Sequence, residues 1–196
     1  MSVNDVHEEK LTLSVDINIP GHDPRTTTPL FSHSRKELLQ RDGAQCWICG
    51  RTADQAGPLE AHHYPIERSL AEMIDWKRVA NDAKNGEVGI AQAQRDMARA
   101  FDWDAFFDGA NEIHVPEDNS DPGDIREAYS YLAVKDPYSF VDNMLVNGVL
   151  LCKVHHIGKD EGIHAMPHPL WIAQRYGKEG YKFSDVEIIH HQEGAQ

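Results

Sequence analysis

Two pairs of metal-binding side chains, Cys46 with Cys49 and Cys152 with His155, constrain this chain more than any other feature. In Cys46-Trp47-Ile48-Cys49-Gly50, two thiolates three positions apart can grip one ion from a tight turn, and the glycine lets the backbone reverse. Cys152-Lys153-Val154-His155 repeats that spacing about a hundred residues later. The four side chains together can close a tetrahedral Cys3His zinc site. Three cysteines cannot form a closed disulfide set. In a reducing compartment a CxxC pair points to metal binding, or less readily to thiol redox chemistry. Buried free cysteines are the plain alternative, but they need no partners at this spacing.

A chain of 196 residues suits one domain, or one domain carrying a large insertion. With 40% hydrophobic residues, 4 Trp, 6 Tyr and 6 Phe it can build a packed core, which excludes wholesale disorder. Residues Met1 to Lys10 are polar and acidic, and no apolar run approaches the roughly 20 residues of a bilayer span. Secretion and membrane insertion are therefore not expected, and a cytoplasmic location is. The net charge of −13 argues against a broadly basic surface. That charge is concentrated: Tyr64 to Asp142 holds 17 acidic and 8 basic residues, whereas Phe31 to His63 balances four against four. Asn143 to Lys182 has five basic and three acidic residues, so the flanking pieces could face a phosphate backbone.

Leu11 to Ile19 alternates apolar and polar residues strictly and reads as a half-buried strand. Ser34 and Glu37 form a capping-box pattern for a short helix ended at Gly43. The middle segment has helical character over Glu67 to Asn81 and Glu87 to Phe107, then a turn-rich acidic loop over Glu117 to Asp124. A further short helix is expected over Ile125 to Leu132. Val149 to Leu151 reads as a strand, Cys152 to Gly158 as a helix start, and Pro169 to Tyr176 as one more helix.

Between the two ligand pairs lies Leu59-Glu60-Ala61-His62-His63-Tyr64-Pro65, a strand ending in adjacent histidines. Neighbouring strand side chains point to opposite faces, so His62 and His63 have different tasks. Asn147 stands five residues before Cys152, and His156 directly follows the last zinc ligand. In this order the chain resembles the HNH endonuclease family: CxxC, then His-His, then Asn before an apolar strand, then a second pair and a histidine. The approach segment Leu38 to Cys46 is similar to that family's lead into its first cysteine. His155 stands where the family usually has a fourth cysteine, which zinc tolerates. The 83 residues between His63 and Asn147 replace a much shorter connection. Loop-closure cost rises only logarithmically with length, so such an insertion need not destabilise the core.

The resemblance implies an α+β fold: a ββα-metal core with a structural zinc site, an N-terminal strand and a large helical insertion. The corresponding division is 1–30 for strand and linker, 31–63 and 143–182 for the core, 64–142 for the acidic insertion and 183–196 for the tail. It also implies that His62 and His156 hold a catalytic cation such as Mg2+, Mn2+ or Ni2+; His164, and less readily His168, follow His156 closely enough to add a third ligand. His63 would be the general base, suited because an ordinary imidazole is neutral near pH 7, and Asn147 would fix the loop that orients it. Arg35, Lys36, Arg41 and Lys153 are candidate phosphate contacts, although charged helix positions are more often solvated faces. The plain alternative for His164 and His168 is loop histidines near a helix start, while His190 and His191 read as surface residues and Trp47 and Trp171 as packing residues.

The function expected from this resemblance is metal-dependent hydrolysis of DNA, in a phage or mobile-element context and a bacterial or phage-infected cell. A protein partner such as packaging machinery could supply the basic surface that this chain lacks. The competing expectation is a zinc-stabilised interaction module whose acidic insertion docks on a basic partner or mimics DNA.

Overall fold

A computed structural model of the chain describes residues 6–10, 27–116, 127–165, 168, 171 and 186–190. The fold is α+β, built among these residues from short helices and three two-stranded sheets. β1 (Val6–Lys10) pairs antiparallel with β6 (Val186–His190), and β2 (Leu59–His63) pairs with β5 (Gly148–Cys152). β3 (Asn111–Pro116) and β4 (Glu127–Ala133) form the third, antiparallel pair. The strand expected over Leu11 to Ile19 and the loop over Glu117 to Asp124 lie outside the described residues, as does most of the helix expected over Pro169 to Tyr176.

The chain forms two compact units: 1–17, 42–62 and 150–196 in the first, 18–41 and 63–149 in the second. One of its crossings from one to the other falls between His62 and His63.

In the second unit, α1 (Pro29–Arg41) starts earlier than the Ser34 pattern predicts. Pro29 occupies the first helical position, where its missing N–H costs nothing, and Thr28 Oγ1 accepts the Phe31 N–H at 3.0 Å. Ser34 is buried mid-helix instead. Its hydroxyl lies 2.8 Å from the Leu30 carbonyl oxygen and 3.0 Å from that of Asp142, and it accepts the Met144 N–H at 3.0 Å. The helix ends as expected just before Gly43, whose φ of 62° suits a residue without a Cβ.

The two long helical stretches are each divided by caps within them. Arg68–Met73 is a 3₁₀ segment, and Asp75 then caps α3 (Trp76–Lys84) by accepting the Arg78 N–H. α4 (Gln92–Arg99) ends before Asp102, which caps α5 (Trp103–Phe107) through the Ala105 N–H. The helix expected over Ile125 to Leu132 is corrected to strand β4. Glu127-Ala128-Tyr129-Ser130-Tyr131-Leu132-Ala133 finds its hydrogen bonds on β3, with Ile113 opposite Tyr131. The insertion thus carries a strand pair, β3 with β4, beside its helices.

Trp76, Trp103, Phe106 and Phe140 form the aromatic centre of this unit's core, packing mostly edge to face. α6 (Tyr138–Val141) and α7 (Met144–Asn147) carry the chain from that core to β5. The Arg41 guanidinium fixes the turn there: Nη1 donates to the Met144 and Leu145 carbonyls at 3.3 and 2.8 Å, and Nη2 to Gly148 at 2.7 Å. Hydrogen bonds to a charged group contribute about 1.5–3 kcal/mol each when deletion leaves buried carbonyls unpaired. Arg41→Ala is therefore expected to destabilise the chain by about 2–4 kcal/mol in urea titration, with little rescue by Arg41→Lys, which lacks the planar fork.

Candidate metal centre

In the first unit, the segment from Gln45 to Thr52 folds back on itself. Gly50 donates to the Cys46 carbonyl at 2.8 Å and Cys46 donates to Arg51 at 2.9 Å. Gly50 has φ 67°, the reversal that the zinc-knuckle spacing calls for. Trp47 donates its N–H to the Leu150 carbonyl at 2.8 Å, seating this knuckle beside β5. β5 ends at Cys152 and runs directly into α8 (Lys153–Ile157), whose first turn presents His155.

One ligand atom from each of Cys46, Cys49, Cys152 and His155 lies within 4.8 Å of the others. His155 Nδ1 stands 3.2 Å from Cys152 Sγ and 3.6 Å from Cys46 Sγ, so Nδ1 is the nitrogen facing the thiols. Its Nε2 faces the Glu161 carboxylate at 3.8 Å, on the side away from the thiols. Trp171 is fully buried, stacks on Trp47 with centroids 6.0 Å apart, and donates its indole N–H to the His155 carbonyl at 3.0 Å. Both indoles are packing residues around the knuckle. The cluster is compatible with a structural zinc ion in donor type, number and closeness. Burial pushes the Cys46 and Cys152 thiols up and the His155 imidazole down. The two thiols therefore release protons when a cation binds.

A second cluster lies in the same unit. His62, His156 and His164 each offer a ring nitrogen within 4.8 Å of the others. Their ring centroids are 5.1, 4.8 and 5.3 Å apart, and burial falls from His62 to the exposed His164, so the cluster opens toward solvent. Glu60, which the sequence reading did not single out, accepts from His156 Nδ1 at 2.5 Å. That bond directs Nε2 of His156 away from the carboxylate, leaving it to act as the ligand. Glu60 and His62 are two positions apart on β2 and so share a face, the pattern that could have revealed the carboxylate. His168 belongs to neither cluster; its ring lies 6.2 Å from that of Trp171.

His63, next along β2, belongs to the second unit. Its ring stacks on Phe31 with centroids 5.4 Å apart, and Nε2 lies 3.3 Å from Asp142 Oδ1. Asn147 is fully buried, and its side chain accepts the Ile66 N–H and donates to the Ile66 and Val141 carbonyls. Its own carbonyl accepts the Tyr64 N–H. Asn147 thus pins the loop that directly follows His63, as a positioning residue. Arg35 and Lys36 are exposed on α1 and border a shallow groove with Phe31 and Leu39, and Lys153 is exposed on α8. Arg41 is corrected from phosphate contact to internal clamp, its guanidinium being committed to three carbonyls.

Asp142 is the second residue missed from sequence. Burial of its carboxyl would raise its pKa, but hydrogen bonds from His63 and Thr28 and the nearby Arg68 charge outweigh burial and hold it below the usual carboxylate range. A carboxylate with a lowered folded-state pKa stabilises the fold above its unfolded pKa, about 3.9, and the contribution is lost as pH falls through the folded value. Thermal melts of wild type are therefore expected to drop steeply below about pH 4. Asp142→Asn is expected to melt lower at pH 7 but to show a shallower acid limb.

Compared with known proteins, the chain matches no family model, and no curated protein or solved structure matches it. Among the described residues, no helix is long and apolar enough to cross a membrane.

Proposed function

We propose that this chain is a divalent-metal-dependent endonuclease of the HNH type, hydrolysing DNA phosphodiester bonds. The observation that carries the reading is the pairing of two different metal clusters in one unit: a thiolate-rich set suited to structure, and an open three-imidazole set beside it. A structural zinc site alone would not call for His62, His156, His164 and the Glu60 carboxylate behind them.

In the proposed reaction a water oxygen bonds to phosphorus while the bond from phosphorus to the 3′ oxygen breaks. His63 takes the proton that the water loses. The 3′ oxygen leaves with the bonding pair and takes a proton from solvent, so the products carry 5′-phosphate and 3′-hydroxyl ends. When bound by His62, His156 and His164, a divalent cation would supply charge neutralisation for the phosphate oxygens. Glu60 orients His156 for that task, and Asn147 holds the chain after His63 so that the imidazole keeps its place. Arg35, Lys36 and Lys153 remain available for backbone phosphates.

Three imidazole nitrogens fit a transition ion such as Ni2+ or Mn2+ better than Mg2+, which prefers oxygen donors and keeps its waters. Conversion of supercoiled plasmid is expected to be faster with Ni2+ or Mn2+ than with Mg2+. The nicks should be closed by DNA ligase, as 5′-phosphate and 3′-hydroxyl ends require. Equal rates with Mg2+, or ends that ligase cannot seal, would contradict this site and this cleavage.

The net −9 of residues 64–142 favours a second reading, an interaction module that docks on a basic partner. The two readings are compatible if a DNA-packaging or processing partner brings the nuclease to its substrate.

A further inference from the structure

The second unit surrounds His63 with more order than a surface histidine needs. Phe31 covers one face of the ring, and its edge meets Asp142, whose side chain is only 2% exposed. The carboxylate is itself held on both oxygens. Arg68 Nε donates to Oδ1 at 3.0 Å, and Thr28 Oγ1 donates to Oδ2 at 2.9 Å. Arg68 is in turn stacked over the Tyr138 ring, 4.6 Å from its centroid. The Asp142 backbone is fixed as well, its carbonyl facing Ser34 Oγ and its N–H donating to Tyr138. Thr28 and Arg68, 114 and 74 positions away in sequence, therefore hold the carboxylate, and its remaining hydrogen-bond contact is the imidazole. Nδ1 of His63 makes no hydrogen bond among the described residues.

We propose that Asp142 is the positioning residue of His63, fixing its neutral ring in the Nε2–H tautomer so that Nδ1 is the atom that accepts the proton. An ionised carboxylate can only accept a hydrogen bond, so the ring nitrogen facing it must be the donor. The lone pair then lies on Nδ1. Phe31 restricts rotation about the ring, and Arg68 and Thr28 stop the carboxylate from following it. In the step this serves, the water proton moves to Nδ1, the oxygen–phosphorus bond forms, and the 3′ oxygen leaves with the bonding pair and takes a proton from solvent. Asp142 keeps its charge throughout and stabilises the imidazolium.

The inference rests on His63 as the base, but its test does not need activity. Ring nitrogen chemical shifts of His63 are read at pH 8 in the zinc-loaded full chain, with assignment by comparison with His63→Gln. Wild type is expected to show a pyrrole-type Nε2 and a pyridine-type Nδ1. Asp142→Asn, confirmed as folded by circular dichroism, is expected to show averaging of the two tautomers. The reverse tautomer in wild type, or a mixture there, would overturn the proposal even if the variant did not fold. The expected tautomer without plasmid cleavage by any protein would uphold the pairing and refute the nuclease. With cleavage, Asp142→Asn should lower kcat by about 10²-fold or more with KM unchanged, as loss of an orienting carboxylate does in catalytic triads. An unchanged kcat would overturn the role of Asp142.

Discussion

Stripping zinc from the chain with a strong chelator, or replacing Cys152 by Ala, is expected to unfold the unit that carries both metal clusters. Among the described residues that unit buries Cys46, Ile48, Leu59, Leu150, Leu151, Cys152 and Trp171, a small apolar set of which two members would be zinc ligands. Structural zinc contributes an apparent 10–16 kcal/mol or so in zinc-finger peptides, against about 5–15 kcal/mol for the whole stability of an ordinary domain. Little would remain to hold Trp47 to β5 or α8 to the knuckle. Metal analysis of the wild type should give about one tightly held zinc per chain. Far-UV circular dichroism should fall after chelation and recover on adding zinc. Because Cys46 and Cys152 are pushed up by burial, zinc uptake should also release protons measurably in weak buffer. A spectrum unchanged by complete zinc removal would show that the four ligands are not what holds this unit.

Replacing His63 by Ala is expected to lower plasmid cleavage by about 10²- to 10⁴-fold, the usual share of a positioned general base. The structure gives reason to expect that the variant folds. His63 is only partly buried, and its partners Phe31 and Asp142 have other anchors: α1 for the first, Arg68 and Thr28 for the second. Asn147, one loop away, pins residues Tyr64 to Ile66 without using the imidazole. A fall in rate at unchanged melting temperature and zinc content would assign the loss to chemistry rather than to folding. A fall of less than tenfold would remove His63 from the proton transfer.

The cluster of Cys46, Cys49, Cys152 and His155 was legible because its chemistry is local: i and i+3 spacing on a knuckle and on one helical turn brings each pair together whatever the rest of the chain does. The same holds for β5, with its short apolar run, and for β2, over Leu59 to His63, which became strands at nearly the expected bounds. Residues that act through distant partners were not legible. Asp142 is one of 17 acidic residues in the middle segment, and nothing near it in sequence marks the one that meets His63, 79 positions away. Arg41 carries the charge of a phosphate contact, and only the fold reveals the carbonyls it holds. β4 was misread because Tyr129, Leu132 and Ala133 suit a helix face as well as a strand. The choice was made by pairing with β3, which lies earlier in the chain. Capping gave the opposite lesson: Ser34 with Glu37 is a sound start pattern, yet Thr28-Pro29 captured the helix one and a half turns sooner.

The most direct test of the central claim is conversion of supercoiled plasmid by the purified, zinc-loaded chain with Ni2+ or Mn2+, run beside His63→Ala of equal zinc content. The account predicts nicked or linear product from wild type only. Equal conversion by both proteins, or none by wild type with any divalent ion, would contradict it.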